Sequence, residues 1–503
     1  MPPLDVLVLA DPHFVGTAAS AGAAAGRDTC LGRILLRKAL ARLRHLGVEP
    51  GLIVLAGDLV EDGTRPGAAD DLLALAGEIR RTGIPLLAVP GNHDGDPAPV
   101  ARVFDCPAGV HVVGDYAFLL FHERRVAGEV FERPAEQLAW PAAAAAAHPD
   151  RPLVALQHHP FSLGIVSDYP YYLANREEVM RGYAAAGVWL SLSGHFHAGQ
   201  PEHVEGGVTY RTAPALCEAP YRFLHVRLEG RAATVTAHAL RVDVPGLTDC
   251  HCHTEMAYCA TTVTASDDVR LARALGVSTL CLTEHTFQLY FPKDEAWSFR
   301  WQSDPSRREA AWKTPARGRM AAYRSLAAAF RDPPRVLAGL EVDLCFDGTL
   351  LLATEDAGGW DLIVGGIHEI AGFVRGQTTQ EEAEMMFLRD VQRLLDQGVD
   401  VLAHPFRFFA RKGLRKPEHL YPVLANLLAT GGVAAEINLH TNEPEPAFFR
   451  ACAERGVRIA LGSDSHELAE VGEFLPHVRV LEAAGIAPAD YERVLFRPDE
   501  TRP

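Results

Sequence analysis

The sequence predicts an α/β protein in both halves, on three observations. Short apolar runs alternate with helical stretches along all 503 residues, as when strands are joined by crossover helices. No apolar run reaches the ~18 residues that a membrane span requires. The composition, 48% apolar and 22% charged with a mean hydropathy of zero, is that of a folded globular chain. It excludes a disordered chain, a fibre and a small disulfide-stapled scaffold.

In chain order, the first half offers strand-like runs at Val6 to Leu9, Leu52 to Ala56, Pro85 to Val89, Leu153 to Gln157 and Val188 to Ser191. The N-terminal MPPLDVLVLADPHF has no basic region and runs straight into Asp11, so it reads as a buried strand, not a secretion signal. Two alanine-rich stretches, Ala18 to Ala25 and Ala142 to Ala147, belong to loops or helices. Alternating residues on either side of Glu229-Gly230 form a hairpin signature. A break between His238 and Leu247 follows, with a Pro-Gly turn, dividing the chain into domains 1–240 and 247–503. The second half repeats the pattern at Thr279 to Leu282, Val336 to Leu340, Leu362 to Val364, Val401 to Leu402, Val433 to Ile437 and Arg458 to Leu461. In such folds functional residues gather at the carboxyl ends of strands.

Lys+Arg 48 against Asp+Glu 64 gives a net charge of −16. That argues against long duplex nucleic acid, whose binding depends on phosphate neutralisation. Small phosphorylated anions still bind where metals reverse the local field. Nine cysteines without a regular framework point to reduced thiols and the cytoplasm. Nothing in the sequence sets an oligomeric state.

The chemistry lies in the histidines. Residues i and i+2 of a strand point to one side, and four metal-competent pairs with that spacing follow apolar runs: Asp11/His13, His195/His197, His251/His253 and Asp464/His466. One such pair is commonly a core histidine beside a surface carboxylate; four imply metal binding.

Five ordered blocks, Asp11-x-His13, Gly57-Asp58, Gly91-Asn92-His93-Asp94, His158-His159-Pro160 and Gly194-His195-Phe196-His197, resemble the calcineurin-like metallophosphoesterase family, closest to its cyclic-nucleotide and small-phosphodiester branch. The resemblance implies an αββα sandwich and two metals. Asp11, His13, Asp58 and His197 would hold one; Asp58, Asn92, His158 and His195 would hold the other, with Asp58 bridging. It gives His93 the catalytic role of helping the leaving group depart, with Asp94 orienting it. His159 stands beside the ligands as an outer residue.

After the break, His251-Cys-His253-Thr, Thr283-Glu284-His285, Glu341-Val-Asp343, Gly-Gly-Ile-His368, His404-Pro405 and Asp464-Ser-His466 resemble the PHP (polymerase and histidinol phosphatase) family. That implies a distorted (β/α)7 barrel with two or three metals. His251, His253, Glu341 and Asp464 would hold the first, and Glu341, His368 and His404 the second. His285 and His466 would hold a third, where the family supplies another histidine and this chain has Cys259. A thiolate ligand, which zinc would favour, and a small buried residue beside a weakened site are both open readings. Cys250 and Cys252 face away from the histidines on a strand, so no zinc finger is expected.

Arg407 is a candidate for binding substrate phosphate. The stretch Phe287 to Trp312, with Phe287, Tyr290, Phe291, Trp297, Phe299, Trp301 and Trp312, reads as a lid or pocket wall that stacks a base or sugar. The N/O donor sets suit Mn, Fe or Zn. Together these features predict a bifunctional metal-dependent phosphoesterase that opens a small phosphodiester in its first domain and removes a monoester in its second. The alternatives are a nuclease for short oligonucleotides or ends, and one active domain with a degenerate regulatory partner.

Overall fold

The structure is a computed structural model that describes residues 2–16, 26–161, 164–313, 317–330 and 333–498. The alanine-rich Ala18 to Ala25 lies outside the described residues. The chain divides into two compact units, Met1–Arg241 and Val242–Pro503.

The N-terminal unit is an αββα sandwich of two mixed sheets. In the first, the order is Ala232–Ala239, Arg222–Glu229, Leu4–Leu9, Leu52–Ala56 and Leu86–Val89, and the last three run parallel. Leu52–Ala56 is buried at every residue, because a central parallel strand is covered on both faces. The second sheet runs Gln200–Glu205, Val208–Thr212, Val188–Ser193, Leu153–Leu156, Tyr116–Leu120 and Gly109–Val113. Tyr116–Leu120 and Gly109–Val113 form an antiparallel hairpin, in a region where no strand was expected. Its apolar core includes Leu119, Phe121, Ala155, Phe161 and Tyr183. Ala142 to Ala147 falls in the helix Trp140–Ala147.

The C-terminal unit is a nearly closed barrel of seven parallel strands in sequence order: Thr248–Cys252, Thr279–His285, Arg335–Asp343, Leu362–Gly366, Val401–Leu402, Ala434–Asn438 and Ile459–Gly462. A parallel bridge between Cys252 and Ser465 draws the first and last strands together. Cys250, Cys281, Val364, Val401 and Ala460 pack in one buried cluster. Cys252 Sγ lies 3.1 Å from Ser465 Oγ, so neither cysteine of the His251 run joins the histidines. All seven carboxyl ends open on one rim, as barrel geometry requires.

Candidate metal centres

The expected geometry of the paired ligands is corrected by the backbone. Asp11/His13, His195/His197 and Asp464/His466 all lie beyond their strands; only His251 sits within one. Convergence comes from left-handed turns instead: φ is positive at Asp11 (52°), His13 (44°), Asp58 (49°), His195 (68°), His404 (33°) and Asp464 (48°). Non-glycine residues reach this region at a cost, and such strain clusters at functional sites. Close packing fixes the neighbouring glycines. A Cβ on Gly57 would stand 2.3 Å from His158 Nδ1, and one on Gly462 would stand 1.9 Å from Glu436 Oε1.

In the N-terminal unit, Asp58 Oδ2 lies between two imidazoles, 3.6 Å from His13 Nε2 and 3.3 Å from His158 Nε2. His13 Nε2 is 3.2 Å from His197 Nε2. His158 Nε2 is 3.1 Å from Asn92 Oδ1, and Asp11 Oδ1 is 3.8 Å from His197 Nε2. The His195 ring is 4.8 Å from that of His158, and its buried Nε2 has no hydrogen-bond partner among the described residues. All seven expected ligands and His93 are therefore gathered at one place.

The opposite ring nitrogens are anchored. His13 Nδ1 faces Glu61 at 2.9 Å, His158 Nδ1 the Ala56 carbonyl at 2.8 Å, and His197 Nδ1 Glu218 at 2.6 Å. His93 Nδ1 donates to the Glu61 carbonyl at 2.7 Å. Asp94 does not orient His93 as expected; its carboxylate accepts the Val60 and Gly91 amides. His159 packs its ring 4.4 Å from that of His195, with Nδ1 held 2.6 Å from Glu123.

In the C-terminal unit Glu341 is the hub. Its Oε2 lies 3.4 Å from His251 Nε2, 3.7 Å from His253 Nε2 and 2.5 Å from His285 Nδ1. Its Oε1 lies 3.0 Å from His404 Nε2 and 3.6 Å from His368 Nε2. Asp464 Oδ1 stands 3.0 Å from His253 Nε2. His466 joins His253 and His285, with ligand atoms within 4.8 Å of one another. Outer carboxylates hold these rings too: Glu436 on His251 Nδ1 at 2.9 Å and Asp343 on His368 Nδ1 at 2.7 Å. Glu284 accepts both the amide and hydroxyl of Thr254 at 2.6 Å, which fixes the turn after His253.

Burial would raise the Asp58 carboxyl, but His158 and His13 outweigh it and hold it well below its usual range. Glu341 is held down in the same way by His285 and His251, and Asp464 by His251 and Arg407. Burial pushes His195 and His404 well below the ordinary imidazole value, and His466 down to about 2. Neutral imidazoles beside ionised carboxylates are the ligand states that metals require. Asp58 raises His158 to about 10 and Glu436 raises His251 well above its ordinary value, each against burial. Among the described residues the buried Nε2 atoms of His195 and His251 have no hydrogen-bond partner; with carboxylates 3–4 Å from several nitrogens, they fit divalent cations in both units.

Each centre opens to a pocket. That of the N-terminal unit, about 360 Å³, is lined by Arg27, His93, Tyr169, Tyr171 and Glu218 besides the ligands. That of the C-terminal unit, about 340 Å³, is lined by Phe287, Trp297, Phe299, Arg407, Arg411 and Lys412. Arg407 is buried and donates to Asp464 Oδ2 at 2.8 Å, so it sits against the cluster as an ion pair. Of the aromatic stretch, Trp297 is exposed and lines the pocket, whereas Tyr290, Phe291 and Trp301 are core. Sequence reasoning missed Glu61, Glu123, Glu218 and Glu436.

The family model for calcineurin-like phosphoesterase matches residues 4–199, and that for the PHP domain matches residues 249–440. A probable histidinol-phosphatase from Deinococcus radiodurans is 27% identical over 266 residues, covering 48% of this chain and 94% of that protein. The probable phosphatase YcdX of Shigella dysenteriae is 28% identical over 173 residues, 33% of this chain and 64% of its own length, so the chain spans under two thirds of that relative. A dimetal phosphatase structure from Danio rerio aligns with 47% of this chain and 98% of its own, at 16% identity and a TM-score of 0.37. The fold and its two clusters define a metal-dependent phosphoric ester hydrolase. The chain carries a calcineurin-like phosphoesterase domain followed by a PHP domain.

Proposed function

We propose that the two domains act on different phosphate esters: the first opens a small phosphodiester and the second removes the resulting monoester. The observation that carries this reading is a complete donor cluster with its own pocket in each unit. Asp11, His13, Asp58 and His197 would hold one ion, and Asp58, Asn92, His158 and His195 a second. In the other domain His251, His253, Glu341 and Asp464 would hold one, and Glu341, His368 and His404 another. Bound cations of the Mn, Fe or Zn class would clamp phosphoryl oxygens, lower the pKa of a water and offset developing charge.

The chain's own residues supply the rest. In-line attack by water forms one P–O bond as the ester P–O bond breaks. His93, its Nδ1 engaged by the Glu61 carbonyl, would turn Nε2 toward the leaving oxygen and give it a proton as general acid. In the second pocket, Arg411 on the wall and Arg407, paired with Asp464, would meet the phosphate of a monoester, while Lys412 pairs with Glu369, and Glu467 and Glu470 line the same wall. Phe287, Trp297 and Phe299 form an apolar wall suited to a flat ring. Nine free cysteines fit a reducing compartment, the cytoplasm.

The test separates the steps in the full chain. His13→Ala should abolish diester opening and leave monoester hydrolysis within about twofold; His253→Ala should do the reverse. Phosphorus NMR of each reaction reads both steps at once. If either variant loses both activities, the division of labour is wrong.

A further inference from the structure

Cys259 lies on the loop after the first barrel strand, and that loop is tied down on two sides. Thr261 donates its amide to the His466 carbonyl at 2.9 Å, and the Leu468 amide donates to Thr262 Oγ1 at 3.0 Å. On the other side the Tyr258 amide donates to Gln288 Oε1, whose Nε2 in turn lies 3.3 Å from Cys259 Sγ. The thiol is thereby held at a fixed place on the pocket wall.

What it faces is the outer edge of an imidazole. His466 Nδ1 donates to the Asp464 carbonyl oxygen at 2.7 Å, which fixes the ring. The opposite nitrogen, His466 Nε2, lies 3.1 Å from Cys259 Sγ. His466, His253 and His285 are all buried and offer ligand atoms within 4.8 Å of one another. A thiol thus adjoins a three-imidazole cluster. In a tetrahedral centre with Zn–S about 2.3 Å and Zn–N about 2.0–2.1 Å, sulfur and nitrogen stand about 3.5 Å apart. The observed 3.1 Å opens to that distance with a shift of a few tenths of an ångström.

We infer that Cys259 is a thiolate ligand of a third cation, shared with His285 and His466, and that its sulfur makes this position selective for zinc-class ions in a cluster otherwise built from nitrogen and oxygen. The inference rests on the reading of the C-terminal cluster as a metal centre. Binding forms a metal–sulfur bond and releases the thiol proton to solvent, one per ion. Sulfur favours Zn or Co over Mn or Mg, so one chain would carry ions of two kinds.

Cobalt(II) is the probe, added to chelator-treated full-length His13→Ala protein, in which the N-terminal centre is impaired. The expected result is a near-ultraviolet thiolate-to-cobalt charge-transfer band. Cys259→Ser should lose it, and Cys259→His should lose it while retaining the ion. In wild-type protein, zinc should protect Cys259 from alkylation, read by mass spectrometry of its peptide. Cobalt ligand-field bands without the charge-transfer band, or a band that survives in Cys259→Ser, would overturn the cysteine assignment alone. Failure of the C-terminal unit to take up any cobalt would overturn the underlying metal-centre reading as well.

Discussion

Glu436, at the end of the sixth barrel strand, accepts from His251 Nδ1 at 2.9 Å through Oε1 and from the His404 amide at 2.7 Å through Oε2. Asn438 adds a third donor at 3.2 Å and also reaches Asp464 Oδ2 at 3.0 Å. One buried carboxylate therefore orients candidate ligands from two strands. Exchanging it for glutamine turns an acceptor into an amide NH₂ that must face a donor. Outer partners of this kind commonly contribute 10–100-fold in metal affinity or activity. Glu436→Gln should lower monoester hydrolysis by about that factor and leave diester opening unchanged, measured by phosphate release and by metal titration. The candidate ligands themselves were legible because each stands in an ordered block. Glu436 is not, although it stands at the same i, i+2 spacing from Asn438, because a Glu-x-Asn pair without histidine does not by itself mark a metal centre. Glu61, Glu123 and Glu218 carried no such signal: their partners come from distant segments, and only the fold joins them.

At the scale of elements, the strands were readable where apolar runs are fully buried, as in Leu52–Ala56, and their ends ran short wherever polar ligands extend the strand, as in Thr279–His285. The hairpin Gly109–Val113 and Tyr116–Leu120 escaped, even though Gly114-Asp115 marks its turn. The turns that gather the candidate ligands read as strand pleat in the sequence, since a positive φ at aspartate or histidine has no sequence signature. The helix Ala265–Ala274 shows another local conflict. Thr264 caps its first turn by accepting the Asp267 amide, but neither carboxylate oxygen of the buried Asp268 has a hydrogen-bond partner among the described residues. Burial, with Asp267 and Glu255 nearby, pushes its carboxyl up to about 9. The folded state then keeps a proton that the unfolded chain loses above its value of 3.8. Stability from this group is fully present below that value and falls as pH rises through about 9. Asp268→Asn should therefore match wild type near pH 4 and melt a few degrees higher at pH 9. In a domain of this size a few degrees corresponds to about 1 kcal/mol, and thermal unfolding at the two pH values checks it. Equal midpoints at pH 9 would show that Asp268 is ionised at no cost.

For the whole molecule, the −16 charge sets what each centre meets. A net negative field repels polyanions at long range, over roughly 8–10 Å in physiological salt. In the second pocket Arg407 and Lys412 are paired with Asp464 and Glu369, and Glu467 and Glu470 also line it, so its cations do little to offset that field. Pockets of about 340 and 360 Å³ are at the small end of ligand sites and have room for one compact molecule. Both terms favour short substrates, and the charge term weakens with added salt. A linear dinucleotide should accordingly be hydrolysed with a higher kcat/KM than a 20-mer of the same composition at low salt, and the gap should narrow as salt rises. Initial rates at two ionic strengths decide the matter. A 20-mer cleaved faster than the dinucleotide at low salt would mean that a surface outside these pockets recruits nucleic acid, and the protein would then be a nuclease rather than a small-molecule phosphoesterase.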